Sequence, residues 1–442
     1  MMALILHNLK KNLIFLFLTG VAFIVWTTFA HRGDQKQPLE GAAFFKFQNK
    51  VIQQNVFDIN NLKKSIGNNI KNSNWDENLS SVNENLKIQF TINKNFDDYV
   101  KKVLKKYNTD YSTVVVIDNE TGNIISASGY DGKKDQFNNE LAFSNTNPSA
   151  SIFKIITSAE LLKNNKVDVD TLFTFRGRST TLYKNQLRDT TPYRGGRPQS
   201  FRKAFAHSNN VIFAKAAIKN ILPSGIYKMA NDFGFNQQLM EEVNLGESRV
   251  GMPEDQYKMA QLASGFNDET VMSPVHGALL SSVIANDGVL KLPNLVVRVY
   301  SPITGETVWS KTPRDRQILD KETSFKMREL MSSTIDEGTA RKGFRKMGRL
   351  YKQELEIGGK TGHITGGMPF GKRDWFTAFA KPKDPAHGKG ISICVMNVNV
   401  VRWHIRSSAV AKEIIEHYYD KILPVGQSVT KLIKRKHIHR EV

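Results

Sequence analysis

Cysteine is almost missing from this chain. Cys394 is the only one among 442 residues, so no disulfide can close within it. Its place in an apolar run marks it as a core residue. The ten histidines contain no H-E-x-x-H pattern, and His437 and His439 stand in a basic tail. No catalytic metal and no cofactor is expected. Repeats and long low-complexity runs are absent too. A nucleotide-binding phosphate loop fails at its one candidate position. Gly359-Lys360-Thr361 resembles the end of such a loop, but the glycine needed five residues earlier is Glu354.

Acid is the scarcer charge. Lys and Arg total 62 against 42 for Asp and Glu, a formal net charge of +20. Such a surface suits nucleic acid, anionic lipid or another polyanion. No nucleic-acid motif appears, and a membrane-anchored exported domain would not meet nucleic acid. Residues 13–30 are uncharged and mostly apolar. As a helix they reach about 27 Å at about 1.5 Å per residue, enough to span a bilayer. A cleaved signal peptide is the alternative, but the run is long for a signal core and Thr28-Phe29-Ala30 is a poor cleavage site. The expectation is an uncleaved single-pass anchor, with 1–12 cytoplasmic and the rest of the chain on the extracytoplasmic side.

What is present in strength is an ordered set of three short motifs: Ser151-Ile152-Phe153-Lys154, Ser208-Asn209-Asn210 and Lys360-Thr361-Gly362. S-x-x-K, S-x-N and K-T-G in this order describe a serine acyl-transfer site that needs no histidine or aspartate. Ser151 and Lys154, three apart, share one helix face. Pro148 and the apolar run 152–162 predict that Ser151 opens a helix, whose dipole favours a nearby oxyanion. Lys154 can take the serine proton if its amine is neutral, and Lys360 is a second cation that would favour neutrality. By itself S-x-x-K is weak. It recurs at Ser200–Lys203, close before S-x-N, and at Ser428–Lys431, after K-T-G. The bland reading of Ser151 and Lys154 is a helix surface pair, and that of Ser208 is a helix N-cap. Around Lys360, two glycines lead into a strand that sets Thr361 and His363 on one face. Gly362 permits close backbone approach.

On these motifs the chain resembles the transpeptidase domain of a penicillin-binding protein. Further ordered matches carry the likeness over roughly residues 85–422. They are Gln89–Asn93 as an entry strand, Val114–Ile125 as a hairpin, Ser273-Pro274-Val275-His276, Ala285–Leu290, Asp336–Arg341 and Asp374–Phe379. The resemblance implies that Ser151 is acylated, Lys154 activates it, and Ser208 with Lys360 relays the proton to the leaving amine. It implies that Asn210, Thr361, Gly362 and His363 bind the donor peptide. The amides of Ser151 and His363 would form the oxyanion hole. The family usually carries a small hydroxyl residue where this chain has His363, which puts that side chain's role in question.

The resulting expectation is a D,D-transpeptidase that cross-links peptidoglycan stem peptides and is inhibited by β-lactams. A D,D-carboxypeptidase or a catalytically silent scaffold of the same fold is the alternative. Protein partners of the cell-wall machinery are compatible with either. A β-lactamase needs a carboxylate to activate water. Glu242 is the candidate by position, without the E-x-x-L-N context. The expected fold is α+β: a five-stranded antiparallel sheet from 112–117, 123–128, 355–362, 374–381 and 390–398, flanked by helices. A mostly helical lobe is inserted, and one transmembrane helix precedes the domain. The domain is expected over 85–424, after a partly helical linker over 31–84. The basic tail 425–442 reads as a solvated end or as a docking segment for anionic headgroups or cell-wall carboxylates.

Overall fold

The computed structural model describes residues 57–79, 86–189, 191 and 195–423. The expected cytoplasmic segment 1–12, the span 13–30 and the tail 425–442 lie outside them. Among the described residues no helix is long and apolar enough to cross a membrane.

Runs rich in Val, Ile and Phe make a sheet from both ends of the domain. Its strands are β1 (Tyr111–Asp118), β2 (Ile124–Asp131), β3 (Gln136–Phe137), β4 (Leu355–Gly366), β5 (Gly371–Pro382) and β6 (Ile391–Asn399). Their order is β4-β5-β6-β1-β2-β3, antiparallel throughout. The sheet therefore has six strands, not the expected five. The extra strand pairs only Phe137 with Tyr130 and Gln136 with Asp131, and two residues cannot display an alternating pattern. Asp118 accepts from the Thr121 amide, and Gly122 takes φ +78°, which closes the β1–β2 turn.

In chain order the main helices are α1 (Ile59–Lys71), α2 (Lys94–Tyr107), α3 (Lys154–Lys163), α4 (Phe201–Ala206), α5 (Asn210–Asn220), α6 (Gln256–Ser264), α7 (Pro274–Ala285), α8 (Lys321–Asp336) and α9 (Ser407–His417). The sheet's two faces have different covers. Phe96, Val100 and Leu104 of α2 and Val410, Ile414 and Ile415 of α9 pack with Val114, Val116, Phe376 and Val395 on one face. The opposite face, carrying Thr377 and Cys394, lies on α7. Ser281 and Thr377 hydroxyls meet at 2.6 Å, and a Cβ on Gly277 would stand 2.6 Å from Cys394 Sγ. Every residue of α7 is buried, so this helix is the shared floor between sheet and helical lobe. Cys394 is fully buried, and burial pushes its thiol well up.

The lobe between β3 and β4 also carries short strands beside its helices, including the ribbon Leu172–Phe175 with Arg197–Ser200. The entry strand Lys87–Phe90 joins Val296–Tyr300 and Thr307–Trp309 in a small separate sheet. Upstream, α1 and the residues after it pack onto the domain. Leu62, Ile66 and Ile70 recur every four residues as a buried stripe. Trp75 tilts against Phe90 and donates its indole N–H to Asp97. Asp97 is itself buried and also accepts from Ser126 and Ser128, with Lys101 at 3.1 Å. Four donors from three segments make that buried carboxylate tolerable.

Candidate active site

The three motifs fall on three walls of one cleft. Ser151 does not open an α-helix. It sits in a 3₁₀ turn, Ala150–Phe153, and α3 begins at Lys154. The reason is upstream: Ala150 is held at φ +49°, a left-handed conformation that an alanine adopts only under tertiary constraint. The constraint is close packing. A Cβ on Gly265 would lie 1.9 Å from the Ala150 carbonyl oxygen, and one on Gly362 would lie 3.2 Å from Ala150 Cβ and from Ile152. The backbone that Gly362 admits is therefore the turn bearing Ser151. In a 3₁₀ turn residues i and i+3 eclipse, which aims Lys154 at Ser151.

Lys154 is fully buried. Its Nζ lies 2.7 Å from Ser151 Oγ, 2.7 Å from Asn210 Oδ1 and 2.6 Å from the Ser264 carbonyl. No carboxylate pairs with it among the described residues. Burial, then the charge of Lys360, holds its pKa well below the ordinary lysine value. A neutral amine has two N–H bonds and one lone pair. The two carbonyl oxygens can only accept, so they take the N–H bonds. The lone pair is left for the Ser151 hydroxyl, the geometry of a base in reach of its proton.

Ser208 occupies the tight step between α4 and α5 at φ +56°. It is not the helix cap. Asn209 is, accepting from the Ile212 amide, and this leaves the Ser208 hydroxyl for the cleft. Lys360 Nζ donates to Ser208 Oγ at 3.1 Å and to the Thr361 carbonyl at 3.0 Å. Burial lowers the Lys360 pKa to about 7. The two amines lie over the rings of Phe213 and Phe205, which exclude water without supplying a counter-ion.

Asn210 is occupied at both ends of its amide. Its oxygen takes Lys154, and its Nδ2 donates to the Thr180 carbonyl at 3.0 Å. Thr361 and His363 share a strand face as their spacing requires, paired with Phe376 and Asp374 of β5. Thr361 Oγ1 meets Thr339 Oγ1 at 2.6 Å. The His363 imidazole turns to Asp374, Nε2 to Oδ1 at 2.8 Å, with Trp403 beside it at 5.5 Å. Asp374 also accepts the Ser407 amide at the start of α9. The histidine thus ties edge strand β4 to β5 and α9 through Nε2, while its exposed ring still lines the cleft.

The cleft measures about 510 Å³ and is lined by Ser151, Ser208, Asn210, Thr361 and His363 together with Thr180, Phe266, Asp268 and Thr339. Thr339, Ser264, Gly265 and Thr180 went unassigned in the sequence. Two act through backbone carbonyls, which no residue type advertises. Glu242 lies elsewhere: its carboxylate takes the Leu295 amide at 2.9 Å and faces Lys311 at 3.7 Å. Among the described residues no His, Cys, Asp or Glu cluster could hold a metal ion.

The family model described as penicillin binding protein transpeptidase domain matches residues 112–415. The chain belongs to that family. Stage V sporulation protein D of Bacillus subtilis is 25% identical over 269 residues, which are 58% of this chain and 40% of that protein. Peptidoglycan D,D-transpeptidase PbpA of Mycolicibacterium smegmatis is 26% identical over 258 residues, 55% of this chain and 49% of the relative. The matched region thus spans less than half the length of these relatives. Among solved structures, penicillin-binding protein 3 of Mycobacterium tuberculosis complexed with aztreonam aligns with TM-score 0.62 at 18% identity, covering 76% of this chain and 79% of that one. The imipenem acyl-enzyme of M. tuberculosis penicillin-binding protein A aligns at 0.57 and 21%, covering 74% and 78%. At these identities the structural likeness speaks for the transpeptidase fold.

Gly265→Ala should displace the Ser151 turn. Covalent labelling by a fluorescent penicillin, measured as a second-order rate, is expected to fall about a hundredfold, as a misplacement near 1 Å does. A rate within threefold of wild type would show that Gly265 does not set the turn. Lys360→Met removes the cation that suppresses protonation of Lys154. Lys360 is charged below about pH 7, so its loss raises the Lys154 pKa. The acidic limb of the labelling rate should move to higher pH, and an unmoved limb would remove Lys360 from that role.

Proposed function

We propose that the chain is a membrane-anchored D,D-transpeptidase that joins peptidoglycan stem peptides through an acyl-enzyme on Ser151. The observation that carries this reading is the Lys154 amine, 2.7 Å from Ser151 Oγ, fully buried and without a carboxylate partner among the described residues. In the first half-reaction Ser151 Oγ attacks the donor's penultimate D-alanyl carbonyl. Its proton passes to Lys154, and the C–N bond then breaks. The departing D-alanine amine takes a proton by way of Ser208 and Lys360, whose pKa near 7 suits transfer in either direction. In the second half-reaction an amine of a neighbouring stem attacks the ester and passes a proton back through Ser208 to Lys360, and as the ester C–O bond breaks Lys154 returns its proton to Ser151 Oγ. The amides of Ser151 and His363 are the proposed oxyanion donors.

A donor strand can lie along β4, which is an edge of the main sheet. Support for the substrate class comes from the relatives named as peptidoglycan D,D-transpeptidases, and for β-lactam inhibition from neighbours solved as imipenem and aztreonam complexes. With Glu242 engaged by Leu295 and Lys311, no carboxylate assigned from the sequence activates water at the acyl-enzyme.

Ser151→Ala should abolish covalent labelling by fluorescent penicillin while the thermal unfolding midpoint stays at the wild-type value. Labelling that persists would name a different nucleophile. Wild-type protein given a D-alanyl-D-alanine stem peptide and an acceptor amine should form cross-linked product. D-Alanine release without cross-linking would make it a carboxypeptidase, and no labelling at all would make it a scaffold.

The anchor is a second part of the proposal, resting on the apolar run 13–30. Deleting residues 1–30 should shift the protein from membrane to soluble fractions with labelling retained. Retention that salt reverses would point to the basic tail instead.

A further inference from the structure

A second cleft of about 510 Å³ lies between the C-terminal end of α8, the segment 341–352, the start of β4 and Lys383 after β5. Its floor is apolar, with Ile335, Phe344, Met347 and Leu355 buried. Its rim is cationic: Arg341, Arg345, Lys352 and Lys383 all line it. From Arg341 to Lys352 the chain places six cations in twelve residues and no acid. None of the four rim cations is in an ion pair among the described residues. On the same lobe Arg202, Lys326 and Arg328 all are.

Two carboxylates also line the cleft. Glu356 is taken by Arg328, Nε to Oε1 at 3.2 Å. Asp336 remains, with burial raising its pKa and Lys352 opposing that rise. Four exposed cations therefore line the cleft beside one carboxylate without an ion pair, and such a surface attracts an anion. Arg341 and Arg345 stand one helical turn apart on one face. The Lys383 ammonium donates to the Lys352 carbonyl at 3.1 Å, and the two guanidinium forks with the Lys352 ammonium still offer more donors than a single carboxylate can use. A tetrahedral oxyanion fits that set better. The acyl-transfer chemistry proposed above uses none of these side chains.

We propose that this cleft binds a phosphate-type anion, carried by a lipid headgroup or supplied as free phosphate. The test uses the full chain in a non-ionic detergent and two probes. The first is inorganic pyrophosphate, titrated calorimetrically. The second is phosphatidylglycerol in mixed micelles, read against phosphatidylcholine. Binding of either probe should weaken at least about tenfold in Arg341→Gln/Arg345→Gln, since each lost charge-assisted bond is worth that much. The unfolding midpoint and penicillin labelling should stay at wild-type values. Pyrophosphate binding that the double variant loses would identify a free phosphate, and binding confined to phosphatidylglycerol a headgroup. Should the double variant fail to fold, Arg345→Gln alone should show the same loss. Wild-type protein that binds neither probe, or a folded variant that binds as tightly as wild type, would overturn the proposal.

Discussion

Lys154 carries its amine into the protein interior with no carboxylate to meet it among the described residues, and the site is arranged around that constraint. A charged ammonium there would lack both water and a counter-ion, so the neutral form is favoured. Three oxygens hold the amine: Ser151 beside it in sequence, Asn210 at the start of α5 and the Ser264 carbonyl at the end of α6. Each comes from a different segment. Moving any of them would expose the amine or leave a polar group unpaired, which explains why the turn around Ser151 tolerates a left-handed alanine and needs glycine at 265.

Edge strand β4 links this buried amine to the rest of the molecule. Lys360 and Gly362 point to the face that meets α7 and the Ser151 turn. Thr361 and His363 take the other side of the strand, Thr361 meeting Thr339 in the cleft and His363 meeting Asp374, which also holds the first amide of α9. One strand thus presents a second amine to the serine and secures the sheet edge through its alternate residues. The same strand begins, at Leu355–Ile357, in the wall of the cationic cleft. Thr339, which precedes the cationic segment by two residues, bonds Thr361 in the active-site cleft.

The two amines also differ in a way that suits two jobs. Lys154 is lowered by burial and then by the charge of Lys360. Lys360 is lowered by burial alone, to about 7. A group meant to be a base before the reaction should hold no proton, whereas a relay should hold one about half the time. Both conditions follow from burial depth and from one unfavourable charge pair, without a histidine.

Much of this was readable in advance. The five long strands appear close to their expected places because runs rich in Val, Ile and Phe, buried on both faces in the centre of the sheet, are a strong local signal. Motif order named Ser151, Lys154, Ser208, Asn210 and Lys360 as one group, and the fold sets Lys154 against Ser151 and Asn210 and Lys360 against Ser208. Local pattern could not show β3, whose two residues carry no period. It could not show that Asn209, rather than Ser208, caps α5, since either residue type serves. Nor could it show that residues 59–79 join the domain through Trp75 and Asp97. The carbonyls of Ser264 and Thr180 belong to backbone that every residue has. The direction of His363 depended on which residue of β5 lies opposite it. The sequence by itself determined which reactive groups the chain has and in what order. Only the tertiary structure decided which of them lose water and which face one another. That depends on contacts between residues distant in the chain, and these set the pKa values.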